Sequence, residues 1–463
     1  MSLAGFAEVP RLAGVTGLRE AQRPGFSVAE AVGRLRRMAY VKQRLAFLAA
    51  AHVNSTPEWE VKAALALHAW LDAEHVSALR ARLTELREPP SRLEEVPDHR
   101  LAAALDEAQR ARDTAELLAA IYAVFRPMLL AAVERYLAET NPLADHPSCR
   151  LLKLIRVEEG EALDWGRKAL AALEPDAAAR RKIDAWKAHL EAYLAAAGGL
   201  DGMRPESKAP LPAPRAAQAV APDITPRRDG RFRGLFDPST PADVVYLDES
   251  RPAEERNLAL AFKRVREMDV PEVIAGIIAQ TPGRPWNYYA LLLRQLWDEA
   301  RHALLGEVAL ESRGYGWTRL PVNVTFSWKL ARFCKPLERH ILLYAIEQSL
   351  MPARRGKRYE WQIARQAGDP LMTTFQDFDW ADEVLHVEIA RRTLRPELRR
   401  GLAEARARSD RLWMRIERKI EQQPLPDDSP PADWWERFVA EVLGRKPAPV
   451  PETHVKDWRP VSA

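Results

Sequence analysis

The stretch that decides the fold is WDEARHALLG at residues 297–306, which contains an Asp-Glu-x-x-His motif. The same motif returns in ADEVLH at 381–386. Residues three positions apart lie on the same face of an α-helix, so the glutamate and histidine of each motif point the same way. The two motifs therefore predict two helices that each direct one carboxylate and one imidazole into a shared interior. Their residues are Asp298, Glu299 and His302, and Asp382, Glu383 and His386.

The composition of the whole chain favours helix. Of its 463 residues, 47% are hydrophobic and 29% are charged, which is typical of a globular protein. Alanine, leucine, arginine and glutamate are abundant and runs of β-branched residues are scarce, a balance that suits helix better than strand. We therefore predict an all-α protein, and its length predicts more than one domain.

Proline separates two helical halves. Nine prolines fall between residues 199 and 252, and proline at that density cannot sustain a helix. The predicted organisation is an N-terminal helical bundle at 1–198, a linker or surface-wrapping arm at 199–252, a C-terminal bundle at 253–421, and a tail with proline and tryptophan at 422–463. In the C-terminal bundle, periodicity predicts helices at 253–280, 286–313, 328–351, 370–393 and 396–421.

Several classes of protein are not favoured. The net charge of +4, from 69 basic and 65 acidic side chains, gives no strong field for nucleic acid. The two cysteines provide neither a disulfide framework nor a thiolate metal site. The apolar stretch 117–138 contains Arg126, Pro127 and Glu134, so we expect no membrane span. Without a signal-peptide pattern at its start, the chain is expected to be cytoplasmic. Its oligomeric state is left open, a homodimer included.

The paired motifs are typical of a dinuclear metal site. Such a site takes one Glu-x-x-His from each of two helices and one glutamate from each of two others. On the first helix, the turn at 281–285 places Glu267 opposite Glu299, while Glu272 is an alternative that lies well off that face. On the third helix, spacing leaves the choice between Glu338 and Glu347 open.

Further residues are candidates for supporting roles. Asp298 and Asp382 each precede a motif glutamate by one residue, about 100° round the helix, within reach of the histidine on the other helix. A carboxylate there would fix the imidazole tautomer. Tyr344, one turn before Glu347, is expected to face the site as a candidate catalytic residue.

Two segments, 266–310 and 344–390, resemble the ferritin-like di-iron carboxylate proteins, most closely a bacterial family with two DExxH helices. The resemblance rests on REMDVPEV and the two DExxH motifs, and on IEQ at 346–348 followed by GDP at 368–370. It implies Glu347 rather than Glu338, and two ferritin-like four-helix bundles joined by the proline-rich linker. One departure is Arg266, where the family has a histidine before the first glutamate. The implied ligands are Glu267, Glu299, His302, Glu347, Glu383 and His386.

The N-terminal half resembles the same architecture weakly. HAWLDAEH at 68–75 places His68, Asp72 and His75 on one helix face. Glu134 follows, and then Glu158 and Glu161 in the acidic run VEEGE at 157–161, where third-helix and fourth-helix ligands would fall. A polar stripe remains the favoured interpretation, with metal binding as the alternative.

The function implied by the resemblance is a dinuclear oxidase or oxygenase. The expected cofactor is two iron ions, with Mn/Fe or Mn₂ as alternatives. The expected partners are O₂, a small organic substrate and an external electron donor, because no flavin or nicotinamide fingerprint is present. The alternative is a non-catalytic or metal-handling ferritin-like protein, either a ferroxidase or a scaffold, so an enzyme is expected without being established.

Overall fold

The structure is a computed structural model, and it describes most of the chain. The described residues are 9–173, 176–203, 210–218, 220–236, 241–352, 354–423, 425–426, 428 and 430–450. Within these ranges the ordered elements are helices and none is a strand, so the predicted all-α fold is confirmed. Parts of the predicted linker (204–209, 219, 237–240) and of the predicted tail (424, 427, 429, 451–463) lie outside the described residues.

The chain forms two compact units. Unit 1 comprises Met1–Ala49 and His68–Ala221, and unit 2 comprises Ala50–Leu67 and Pro222–Ala463. The sequence predicted one continuous N-terminal bundle at 1–198, whereas the structure groups residues 50–67 with the C-terminal half. The predicted linker at 199–252 is also divided, at residue 221, between the two units.

Unit 1 consists of helices of very different lengths. One 26-residue helical stretch, Thr114–Glu139, contains the π-helical segment Ala119–Phe125. By length and composition alone this stretch could cross a membrane, but 72% of its most apolar window is buried within the structure. The helices that lie wholly or largely in unit 1 are α1 (Leu18–Ala21), α2 (Val28–His52), α3 (Trp59–Glu85), α4 (His99–Ala108), α5 (Thr114–Leu118), α6 (Arg126–Glu139), α7 (His146–Leu173) and α8 (Ala177–Ala196).

Unit 2 contains both motif helices, α12 and α16. Short 3₁₀ turns occur at Glu267–Asp269, Trp317–Arg319 and Arg395–Glu397. The α-helices of unit 2 are α9 (Pro241–Leu247), α10 (Ala253–Arg266), α11 (Val270–Ala279), α12 (Trp286–Glu311), α13 (Thr325–Phe333), α14 (Pro336–Ser349), α15 (Lys357–Gln366), α16 (Pro370–Leu394), α17 (Leu402–Gln422) and α18 (Trp434–Leu443).

Four helical layers of unit 2 contact one another in a ring, where α10 and α11 together form one layer and α12, α14 and α16 form one each. The α10 and α11 helices pack on α12, α12 packs on α16, α16 packs on α14, and α14 packs on α11. The motif helices α12 and α16 are therefore neighbours, and each also contacts one of the two layers that carry the single glutamates. This arrangement directs all four layers towards one interior.

Proline explains two differences from the predicted helices. The predicted helix 253–280 is interrupted at Glu267–Asp269, because Pro271 has no N–H to donate to the carbonyl of Glu267. The predicted helix 328–351 is two helices, α13 and α14, since Cys334 is extended and Pro336 starts α14. In both places the apolar period continues across the break, which is why periodicity alone missed it.

The arm before α10 and the tail after α17 both dock on unit 2. Phe232 is buried with its ring centroid 5.6 Å from that of Trp317, and the α9 helix packs on α10. In the tail, Trp435 is buried and packs against Phe262 of α10. The packing of α9 and of Trp435 on α10 stabilises this helix, which leads into Glu267.

Candidate metal centre

Four layers of unit 2 bring the six predicted ligands together. Five of these side chains are buried and Glu267 is half-buried. Their donor atoms form groups in which all members lie within 4.8 Å of one another. The six residues are Glu267 in the 3₁₀ turn between α10 and α11, Glu299 and His302 on α12, Glu347 on α14, and Glu383 and His386 on α16.

Glu299 lies between the two imidazoles. Its Oε2 is 3.6 Å from His302 Nδ1 and its Oε1 is 3.2 Å from His386 Nδ1. Glu267 completes the side near His302, with Oε2 3.5 Å from Nδ1. We call Glu267, Glu299 and His302 the His302 half, and Glu299, Glu347, Glu383 and His386 the His386 half. A carboxylate shared by two such halves has the geometry to bridge two cations.

Several buried atoms in this interior have no hydrogen-bond partner among the described residues. A buried polar atom without a partner is costly unless a ligand or an ion satisfies it. Nitrogen and oxygen lone pairs of this mixture suit iron, manganese and zinc. The residues therefore fit a metal centre. The unpartnered ligand atoms are Glu267 Oε2, His302 Nδ1, Glu383 Oε2 and both ring nitrogens of His386.

The aspartate of each motif contacts the histidine of the other motif. Asp382 Oδ2 on α16 is 3.1 Å from His302 Nε2, and Asp298 Oδ2 on α12 is 3.5 Å from His386 Nε2. These contacts leave each Nδ1 directed at the glutamates. Arg301 donates to both aspartates, at 2.8 Å and 2.7 Å, which ties α12 to α16 outside the ligands.

The electrostatics of the interior favour cations. Burial lowers the pKa of His302, but Asp379, Asp382 and Glu299 together raise it to about 10. Burial raises the pKa of Glu347 well above its usual value, and the neighbouring charge of Glu383 raises it further. In both residues neighbouring carboxylates contribute to the raised pKa, and a bound cation would neutralise that negative charge.

Three charged residues in this interior were missed from the sequence. Asp379 lies one helical turn before Glu383, and its Oδ1 is 3.3 Å from His302 Nδ1. Lys357 contacts Asp379 and Glu383, while Arg264 pairs with Glu267 at 2.7 Å and with Asp379. The i−4 spacing of Asp379 was a local signal that could have found it. Lys357 lies in a connecting segment and had no comparable signal.

Three other predicted candidates lie in different surroundings. Glu272, the alternative first-helix ligand, is buried against Lys62 and Arg228 and accepts a 3.0 Å hydrogen bond from Ser327. Because Glu272 is turned to these cations, it belongs to none of the metal-capable groups found among the described residues.

Glu338 and Tyr344 are likewise bound to other partners. Glu338 lies in the first turn of α14 and pairs with Arg415 at 2.8 Å. Of the two third-helix candidates, Glu338 is therefore the one that lies away from the interior. The hydroxyl of Tyr344 is 3.3 Å from Gln348 Oε1 on the same helix, and donates to that atom. Glu347, in contrast, accepts a 3.0 Å hydrogen bond from Gln295 Nε2 in the interior.

Unit 1 holds a related cluster with a different charge balance. Asp72 and His75 on α3 form a metal-capable group with Glu159 on α7. Both carboxylates are bound by two buried cations, Lys42 and Arg126, with Lys42 Nζ 2.8 Å from Asp72 and Arg126 Nη1 2.8 Å from Glu159. Two cationic side chains thus neutralise the two buried carboxylates directly.

The remaining unit 1 candidates lie around that cluster. His68 is buried with Nδ1 2.6 Å from the Tyr122 hydroxyl, outside the metal-capable group. Glu158 pairs with His75 Nε2 at 2.5 Å, while Glu134 and Glu161 are exposed. The acid that α7 brings to the cluster is therefore Glu159 rather than the expected Glu158 or Glu161. The position three residues after Glu159 is Ala162, where unit 2 has a histidine after Glu383.

Comparisons of the chain with family models, with curated proteins and with solved structures found no match. The ferritin-like resemblance therefore remains an interpretation of the motifs and their spacing.

Proposed function

We propose that unit 2 is a dinuclear metal centre that uses O₂ to oxidise a small organic substrate, with iron as the resident metal. The observation that carries the proposal is the convergence of His302 Nδ1 and His386 Nδ1 on Glu299, with one further glutamate on either side. Two bridging-capable carboxylates and one histidine for each cation match the donor set of di-iron and di-manganese carboxylate sites.

The protein's own residues would do the positioning. Glu299 and Glu383 each lie in metal-capable groups with both histidines and would be shared between two cations. Asp382 and Asp298 would hold the imidazoles by their Nε2 atoms. Iron bound there would supply the redox chemistry and Lewis acidity. Electrons would come from a separate reductase, since the sequence has no nicotinamide or flavin fingerprint.

The first test is metal analysis of the full chain beside Glu383→Ala. The variant removes one shared carboxylate, so we expect close to two irons per chain in the native protein and less than one in the variant. The ultraviolet–visible spectrum after anaerobic Fe(II) loading should gain a charge-transfer band on exposure to O₂ in the native protein only.

The control is Glu388→Ala on the same helix. Glu388 pairs with Arg392 at the surface, 2.9 Å away, and should leave both the iron content and the spectrum unchanged. A folded native protein that takes up no iron, or that takes up the same amount as Glu383→Ala, would contradict the proposed centre.

A metal-handling role is the second candidate, and one observation favours it. Two of the surface cavities, one of about 400 Å³ lined by Arg332, Phe333, Arg415, Lys419 and Gln423 and a much smaller one in unit 1, are lined by none of the candidate ligands. A metal-handling centre needs no space for an organic substrate beside the metals. Iron uptake well beyond two per chain during repeated Fe(II) and O₂ additions would favour metal handling over oxygenation.

A further inference from the structure

Lys357 places an ammonium group inside the candidate metal centre. It is the first residue of α15, the short helix between α14 and α16, and its side chain is fully buried. Its Nζ lies 2.8 Å from Glu383 Oε1, 2.9 Å from Asp379 Oδ1 and 3.6 Å from Glu267 Oε1. An ammonium with three carboxylates around it occupies space that a bound cation at the same carboxylates would need.

The backbone fixes this position. Lys357 N donates to Leu350 O at 3.0 Å, which folds the connecting segment back onto the end of α14. A Cβ on the preceding Gly356 would meet Leu350 O and Pro352 O at 2.3 Å, so only glycine fits there without a shift of the backbone. The start of α15, and with it the base of the lysine side chain, is held by this close approach.

The ammonium contacts the two halves of the centre unequally. Among the described residues, its acidic partners are Glu267 and Asp379 beside His302, and Glu383, which both imidazoles share. Arg264 adds a second cation on the same side, at 2.7 Å from Glu267. On the other side, Glu347 accepts a hydrogen bond from the neutral amide of Gln295. In the His302 half, Glu267 already pairs with Arg264 and lies near Lys357. In the His386 half, Lys357 pairs with Glu383, whereas Glu299 and Glu347 pair with no lysine or arginine among the described residues.

The charge count shows that a second ion meets less attraction than the first. Two cationic side chains, Lys357 and Arg264, balance only part of the interior charge. Five carboxylates and two cations leave a net charge of −3, so the first divalent ion meets −3 and the second meets only −1, beside the ammonium. Coulomb repulsion between cations a few ångströms apart is strong in a buried site. The five carboxylates that share the interior are Glu267, Glu299, Glu347, Asp379 and Glu383.

Unit 1 shows that this chain uses side-chain cations in the same way. Lys42 and Arg126 bind Asp72 and Glu159 there and neutralise both. In unit 2 a lysine and an arginine again contact the buried acids, but the acids outnumber them. The two clusters therefore differ in how much negative charge is left for metal.

We propose that Lys357 makes the two metal positions unequal: the His386 half binds the first divalent ion tightly, and the His302 half binds the second weakly because the Lys357 ammonium competes for its carboxylates. This inference rests on the proposed dinuclear centre. It assigns Lys357 as a positioning residue that sets the order of metal loading.

The test is a titration of the metal-free full chain with Mn²⁺, followed by calorimetry and by electron paramagnetic resonance. The native protein should bind two ions in two steps whose dissociation constants differ at least tenfold. At one equivalent, the spectrum should be that of an isolated Mn²⁺ ion, with the signal of a coupled pair appearing only as the second equivalent is added.

Lys357→Met removes the charge at similar volume and should tighten the second step at least tenfold, with a smaller effect on the first. Lys357→Arg keeps the charge and should keep the gap between the steps. The matched control is Lys263→Met, since Lys263 faces Glu360 and the Tyr246 ring rather than the ligands. That variant should titrate as the native protein does.

Two outcomes would overturn the inference. One is a native titration with two equal ions and coupled pairs already present at one equivalent, a result that needs no variant and so does not depend on how Lys357→Met folds. The other is a folded Lys357→Met whose second step is unchanged or weaker. Failure of the dinuclear proposal would give a different result: the native chain would bind no Mn²⁺, or would bind the same amount as Glu383→Ala.

Discussion

At the scale of single residues, the aspartates of the two motifs define the orientation of the imidazoles. Asp382 and Asp298 each contact the Nε2 atom of the histidine on the opposite motif helix. An imidazole held at Nε2 presents Nδ1 as its free donor atom, and both Nδ1 atoms lie near Glu299. Each motif helix therefore provides a glutamate as a candidate ligand and, one residue earlier, an aspartate that contacts the histidine of the other motif helix.

Asp382→Asn tests this role. The amide keeps the shape but loses the charge that holds the imidazole, and the loss of such a partner typically weakens metal binding by about 10-fold to 100-fold. We expect that loss in the Mn²⁺ affinity measured by calorimetry. Asp377→Asn, an exposed residue on the same helix, should leave the affinity unchanged. Equal affinity in Asp382→Asn and the native protein would contradict the role.

At the scale of elements, the close packing of α10 on α12 sets the position of Glu267. Gly306 of α12 lies directly against the backbone of α10, where an added Cβ would meet Val265 N at 2.4 Å and Arg264 C at 2.8 Å. These atoms belong to the last turn before Glu267, so the distance between the two helices decides where that carboxylate lies relative to His302.

Gly306→Ala should therefore separate α10 from α12. Overpacking against backbone typically costs about 1–3 kcal/mol of unfolding free energy, and the displaced Glu267 should also weaken the His302 half. Denaturant unfolding measures the first effect and Mn²⁺ titration the second. The matched change is Gly160→Ala in α7, where no atom lies within 4 Å of the added Cβ. There alanine should stabilise the helix by about 0.5–1 kcal/mol. A Gly306→Ala protein as stable as the native one would refute the argument.

At the scale of the whole molecule, the two units treat buried acid in different ways. In unit 1, Lys42 and Arg126 satisfy Asp72 and Glu159 with side chains. In unit 2, the carboxylates exceed the cationic side chains, and metal would supply the rest. Unit 1 should therefore depend on its lysine for stability in the way that unit 2 would depend on the proposed metal.

Lys42→Met is the corresponding prediction. It leaves Asp72 and Glu159 with one cation for two buried charges, and breaking a buried ion pair from one side costs about 3–5 kcal/mol. Chemical denaturation should show that loss for unit 1, with the iron content of the chain unchanged. Lys153→Met, an exposed change on α7, should stay within about 0.5 kcal/mol of the native protein. A Lys42→Met protein that binds an additional metal ion would show that the cation was standing in for one.

Much of the fold and part of the site could be predicted from local patterns. The i,i+3 spacing of glutamate and histidine and the helical apolar period depend only on the geometry of one helix, so α12 and α16 and their inward faces were predictable. The interruption at Glu267–Asp269 and the division between α13 and α14 were not, because the apolar period continues through both. The proline at each position was the local signal that periodicity ignores.

The sequence by itself determined the all-α class, the repeated motif and the residues that have donor atoms on one helix face. Only the tertiary structure decided which charged side chains lie beside these donor atoms. Lys357 lies 26 residues before Glu383 and Lys42 lies 117 residues before Glu159, so no helical period relates these pairs. Their contacts depend on how separate helices pack. The glutamate and histidine of each motif lie on one face of one helix, so the local sequence predicts them as candidate ligands. The charge balance that would govern metal affinity is a sum over the whole interior, which only the packing of separate helices sets.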